Sequence, residues 1–394
     1  MVSVRISVKP EILRWARSHS GTALPNEWQE RINDWIDQKK EPTIKQLQAL
    51  SQKTQIPFGY FFLEDMPDEE IPLLKFRTID NNEIDHPSRN LIDTINEMET
   101  KRAWLSDYRK SQGFGKNSFV NAQDGMKNSH SLADVAQAIL AELDLEMGWN
   151  YQKHSSDRFN TLRVHLDNVG VTVMTSGFVK NSTRRTLDQN EFRAFALIDE
   201  YAPLIFVNSN DSFRAMLFSL VHEMVHVWYG TPELFNATFQ ASDRFRDDVT
   251  EQKINRVTEE ILFPKTIFLQ AWEKINLQDQ IQKVLEIAKE FGTSPLSAGI
   301  RAVRLTLIPQ DIVDDLKDYL QHQYEQKKMR EKQRDGGPNY YVVKASQIDK
   351  TFARTVDQSA RSGEITYTEA FDLLNVKNNS GFDKLMAEVN GGER

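Results

Sequence analysis

The stretch Phe218-Ser219-Leu220-Val221-His222-Glu223-Met224-Val225-His226-Val227-Trp228 decides how this chain reads. Two histidines stand four residues apart inside an apolar run, with a glutamate beside the first. Residues i and i+4 of an α-helix share a face, so both imidazoles can grip one metal ion. Glu223 is then placed to reach a water at that ion and to act as general base. The competing reading is a core helix whose imidazoles bond to backbone groups. A strand-and-turn signal before the helix and an acidic helix after it favour the metal. A zinc-dependent hydrolase, acting on peptides, is the chemistry expected.

Two histidines leave the site incomplete, because a catalytic zinc takes three protein ligands plus water. Downstream the one remaining histidine is His322, among polar residues. A carboxylate is therefore expected, from Asp243, Asp247, Asp248, Glu251, Glu259 or Glu260. Residues 250–263 read as a helix stopped by Pro264, with Ile254, Val257, Ile261 and Leu262 on its buried face. In that frame Glu251 can point inward, with Asn255 one turn on to support it. Glu259 and Glu260 lie further along and are expected to be solvated. Tyr229, Tyr201, His165 and Arg193 are candidates for an oxyanion stabiliser, and spacing chooses none of them.

Upstream, short strands are expected at 162–166, 171–174, 193–197 and 204–207. Asn208-Ser209-Asn210-Asp211-Ser212 caps the motif helix. Peptidases with such a helix commonly pair an extended substrate against an edge strand. Leu204, Ile205, Phe206 and Val207 are the candidate, with Pro203 tolerable at an edge; a plain packed strand is the alternative.

Residues 1–75 read as a compact helical domain, with helices at 10–17, 26–38 and 44–56. Residues 76–150 read as a helical connector, with helices at 91–108 and 131–145 and a loop over 112–130. Residues 151–325 hold the motif, 325–339 form a charged linker, and 340–388 make a small module with a strand at 340–343. The expected fold class is α+β, mostly helical. The 394 residues suit two or three domains, and 22 Phe with 7 Trp supply real cores. The absence of Cys excludes disulfides, thiolate zinc sites and a cysteine nucleophile. Neither a signal-peptide segment nor a run of about 20 apolar residues is visible, so a cytoplasmic protein is expected, with no membrane partner. A net charge of −8 argues against nucleic-acid binding by the chain as a whole.

The chain resembles the ImmA/IrrE-type metallo-endopeptidases. The likeness runs through Glu191-Phe192-Arg193-Ala194-Phe195-Ala196-Leu197, residues 202–208, residues 218–230, Glu251-Gln252-Lys253-Ile254-Asn255 and Glu260-Ile261-Leu262-Phe263-Pro264. It implies a zincin-like core and one zinc on His222, His226 and Glu251, with Glu223 as base. Ile254, Val257 and Thr258 depart from the family's pattern at packing positions. Residues 1–75 resemble the Xre-type helix-turn-helix often fused to these peptidases, through Ile12-Leu13-Arg14-Trp15-Ala16-Arg17, Trp35, residues 42–47 and Phe61-Phe62-Leu63. That likeness implies DNA contacts from Arg14, Arg17, Arg31, Lys39, Lys40 and Lys45. Between Gly21 and Trp35, however, the chain is short for a turn plus recognition helix. Residues 363–370 with Leu373-Leu374 resemble the tail module of the same fused proteins. The resemblance implies a regulatory substrate, repressor-like, cut in a control circuit. The alternative is a non-enzymatic DNA-binding or antitoxin-like regulator that holds a toxin or other protein on a zincin scaffold. Oligomeric state is not readable.

Overall fold

The computed structural model describes residues 4–21, 23–67, 87–122, 131–152, 155–231, 234–235, 249–330 and 339–391. They fall into two compact units, the first drawn from Met1–Lys75, Asn82–Glu97 and Phe178–Leu187, the second from the rest.

The first unit packs α1 (Pro10–Ser18), α2 (Asn26–Ile36), α3 (Ile44–Thr54) and a short 3-10 turn at Phe58–Phe62. Pro10 starts α1, where its missing N–H costs nothing. Thr43 and Gln46 close a reciprocal capping box at the start of α3. Ile12, Leu13, Ala16, Trp28, Ile32, Trp35, Leu47, Leu50 and Phe61 form the core, at the helical spacing the sequence shows. A single helix, α2, spans the region between Gly21 and Trp35. The long α4 (Arg89–Ser111) begins in this unit and continues into the second.

One piece of the first unit comes from far along the chain. Residues 178–187 form a small turn, bridged between Phe178 and Thr186, with Val179 N–H donating to the Arg185 carbonyl. Arg185 is buried and donates to Asp93 (2.7 Å), Asn90 (3.0 Å) and Gln55 (3.4 Å). Asp93 also takes Arg89 at 2.7 Å. The first segment of the unit ends at Lys75, where the boundary was expected, and the unit adds Asn82–Glu97 and Phe178–Leu187, the last of which brings the buried Arg185.

The second unit contains α5 (Leu132–Glu142), α6 (Ser155–Asn168), β1 (Thr172–Ser176), β2 (Ala194–Leu197), β3 (Leu204–Asn208), α7 (Phe213–Tyr229) and β4 (Leu234–Phe235). After these come α8 (Val249–Leu262), α9 (Lys265–Lys274), α10 (Gln280–Phe291), α11 (Pro295–Arg304) and α12 (Gln310–Arg330). The C-terminal helices are α13 (Tyr340–Gln347), α14 (Lys350–Ser362), α15 (Tyr367–Leu373) and α16 (Asn379–Gly391). The fold is α+β and mostly helical, with a sheet in the order β1-β3-β2-β4. β1 runs parallel to β3, whereas β2 is antiparallel to it, with Phe195 opposite Phe206. α7 packs on β2, β3, α6 and α8, and every residue from Ala215 to Tyr229 is buried. No helix among the described residues is long and apolar enough to cross a membrane.

Three local expectations are corrected. Residues 162–166 lie in α6: Phe159, Leu162 and Leu166 recur at helical spacing and are buried, while Val164 is exposed. Residues 340–343 start α13, where the Asn339 side chain accepts the Tyr341 N–H, and Tyr340 and Val342 face out. A helix cap and packing on α16 override β propensity there. Of the linker expected over 325–339, residues up to Arg330 belong to α12, and residues 331–338 lie outside the described ones.

Candidate metal centre

Ser212 caps α7 by accepting the Ala215 N–H, and Gly230 ends it in the left-handed region at φ 66°. The apolar residues between them hold the helix in the core, so its two histidines are fully buried. Their Nε2 atoms are 3.0 Å apart. From α8, Glu251 brings Oε1 to 3.4 Å from His222 Nε2 and Oε2 to 3.4 Å from His226 Nε2. Glu251 is only 3 % exposed. Asn255, one turn on, donates to Glu251 Oε1 at 3.1 Å.

This donor set fits zinc. Bonds of about 2.1 Å to a tetrahedral ion set neighbouring donors roughly 3.4 Å apart, close to what is found. Nitrogen, nitrogen and carboxylate oxygen is also a familiar zinc ligand set. A divalent cation bound between them would also offset the charge of the buried carboxylate.

The next layer fixes His226. Its Nδ1 lies 3.0 Å from the Thr231 carbonyl and 3.2 Å from Thr231 Oγ1. Donation from Nδ1 to that carbonyl turns the Nε2 lone pair toward Glu251. Thr231 N–H in turn donates to the His226 carbonyl at 3.1 Å, so one residue holds both backbone and ring. The left-handed Gly230 makes this possible, and a Cβ there would stand 3.0 Å from Asn121 Oδ1. Sequence reasoning missed Asn121, Gly230 and Thr231; a glycine just past the last apolar turn was the available signal.

Glu223 is fully buried on the same helix. Asp243, Asp247 and Asp248 lie outside the described residues. Glu259 and Glu260 are not solvated as expected: Glu259 pairs with Arg304 at 2.5 Å and Glu260 pairs with Arg301, both arginines from α11. His322 is exposed on α12. Leu204, Ile205, Phe206 and Val207 do not form an edge, since β3 is paired on both sides. Among the oxyanion candidates, His165 is held to the Leu143 carbonyl and Arg193 to Asp211. Tyr229 sits on α7 one turn beyond His226, and burial pushes its phenol above the ordinary value. In the first unit, Arg17 bonds Asn33, while Arg31, Lys39 and Lys40 pair with Glu27, Asp37 and Asp34. Arg14 and Lys45 are exposed.

Residues 166–303 match the family model of the IrrE N-terminal-like domain, Peptidase M78. The matched stretch holds His222, Glu223, His226, Glu251 and Asn255, so this part of the chain is similar to metallopeptidases of the ImmA/IrrE type. Residues 348–388 match a domain of unknown function (DUF8813). No curated protein and no solved structure matches the chain.

Proposed function

We propose that this chain is a zinc endopeptidase of the ImmA/IrrE type that cuts a repressor-like regulatory protein. The observation that carries the reading is the buried His222, His226 and Glu251 cluster, with one donor atom of each within 4.8 Å of the others. Zinc bound there would supply Lewis acidity toward a scissile carbonyl and a water. Asn255 holds the Glu251 carboxylate in place, and Thr231 orients His226. Glu223 takes the proton of the attacking water onto its carboxylate and passes it to the departing amine. β3 is paired on both sides and so offers an extended substrate no free edge. Among the described residues, β2 is closed on its outer side by β4 at Ala194 and Phe195.

Protein is favoured over DNA as the partner. Four of the six basic side chains expected to meet DNA bond to groups of their own unit. DNA recognition needs donors directed at phosphates and base edges. The deciding experiment is zinc content of the purified protein beside Glu251→Ala, followed by digestion of candidate repressors. About one zinc per chain, lost in the variant, is expected. A zinc-loaded wild type that cleaves no protein encoded beside it would favour the binding-protein reading.

A further inference from the structure

The role of the C-terminal helices is written at the edge of the sheet. β1 pairs only with β3 among the described residues, so its other side would be an open edge. Along a strand, each residue's N–H and C=O point to the same side and alternate with those of its neighbours. Thr172 N–H donates inward to the Pro203 carbonyl, and the Ser176 carbonyl accepts from Ser209. Val173 therefore points outward, where a fifth strand would bind.

Side chains take both of its groups instead. Asp349 Oδ2 accepts the Val173 N–H at 3.3 Å, and Arg163 Nη2 donates to the Val173 carbonyl at 2.9 Å. Arg163 also donates to the carbonyls of Ser346 (2.6 Å) and Ile348 (3.1 Å). Asp349 N–H lies 3.3 Å from the Met174 sulfur, and Thr351 bonds Asp167 of α6 at 2.7 Å. Phe352 meets Trp104 edge to face. Ile348 and Asp349 are buried, and the same Asp349 caps α14 through Oδ1 to the Phe352 N–H.

We propose that the C-terminal module, whose residues 348–388 form the domain of unknown function, is an edge cap. It stands where a further strand would pair with β1 and keeps the sheet from pairing with another copy of this chain. Exposed edges invite such pairing, and natural proteins cover them. The contacts run from Ser346, two residues before the matched stretch, through Ile348 and Asp349 at its start, and they replace a ladder with a carboxylate and a guanidinium. The role is independent of the metal and of proteolysis.

Asp349→Ser tests it, because serine still caps α14 but cannot also reach Val173. Arg163→Met is the second variant; it leaves that cap intact and serves if the first does not fold. Hydrogen exchange is followed by segment, with association state by sedimentation over a range of concentrations. Exchange over residues 171–176 should rise about tenfold or more, that over 222–229 should stay as in the wild type, and the variant should self-associate with concentration. A folded variant with unchanged exchange at 171–176 overturns the proposal. So does faster exchange with the association state of the wild type.

Discussion

The metal centre and the C-terminal clamp each bury a carboxylate, and their surroundings differ in kind. Glu251 faces two imidazoles and an amide, none of which carries a fixed charge. Asp349 has two backbone N–H groups and the Arg163 guanidinium nearby. The first arrangement offers a cation three converging donors, whereas the second sets a guanidinium of the chain itself near the carboxylate. Burial of an acid thus says little about function until its neighbours are counted by charge.

The largest effect expected falls at the metal centre. Glu223→Gln should keep zinc and lower cleavage about a thousandfold, measured as turnover beside zinc content. Persistent proteolysis by that variant would remove Glu223 from the mechanism. His226→Ala should take zinc from about one per chain to near none, while Asp349→Ala leaves it unchanged; equal loss in both would erase the contrast.

At the clamp, Arg163→Met should lower unfolding free energy by about 3 kcal/mol, since it strands Asp349 and three carbonyls. Denaturant titration reads this. pH then sharpens the comparison. Burial first, and the nearby Asp167 second, push Asp349 up to about 6. The Phe352 and Val173 N–H groups and Arg163 oppose that rise. The folded chain therefore holds this proton more tightly than the unfolded one. Its stabilising contribution is present below about pH 4 and is lost as pH rises through 6, by up to about 3 kcal/mol. Asp349→Asn should flatten that part of the stability curve. The smallest effect is expected from Gly230→Val, which should weaken zinc binding about tenfold by shifting the Thr231 carbonyl from His226. Chelator competition measures it, and unaltered affinity would reduce Gly230 to a helix terminator.

Much of the metal centre was legible because it is local. Four-residue spacing sets His222 and His226 on one face, Ser212 caps their helix, and Pro264 stops the next. The positions of β1, β2 and β3 followed from short apolar runs. Other features depend on partners distant in sequence. Glu259 and Glu260 look like a solvated pair until Arg301 and Arg304 arrive from α11. Leu204 to Val207 could be edge or interior, and only the flanking of β3 by β1 and β2 decides. Leu162 to Leu166 fits either period, and Phe159 at i−3 from Leu162 tips it to helix. The likeness of residues 1–75 to a helix-turn-helix rests on sequence, and α2 alone occupies the span where two elements would be expected.

Residues 178–187 also set an order of events during synthesis. The N-terminal unit has no Arg185 for Asp93, Asn90 and Gln55 until the ribosome has passed β1. At about 5–20 residues per second, that wait is on the order of ten seconds after residue 75 is made. Once made, Asp93 can pair with Arg89 on the same helix while it waits. The first segment to leave the ribosome therefore cannot finish folding until residue 187 is made, and a chain truncated before that point would hold it unfinished.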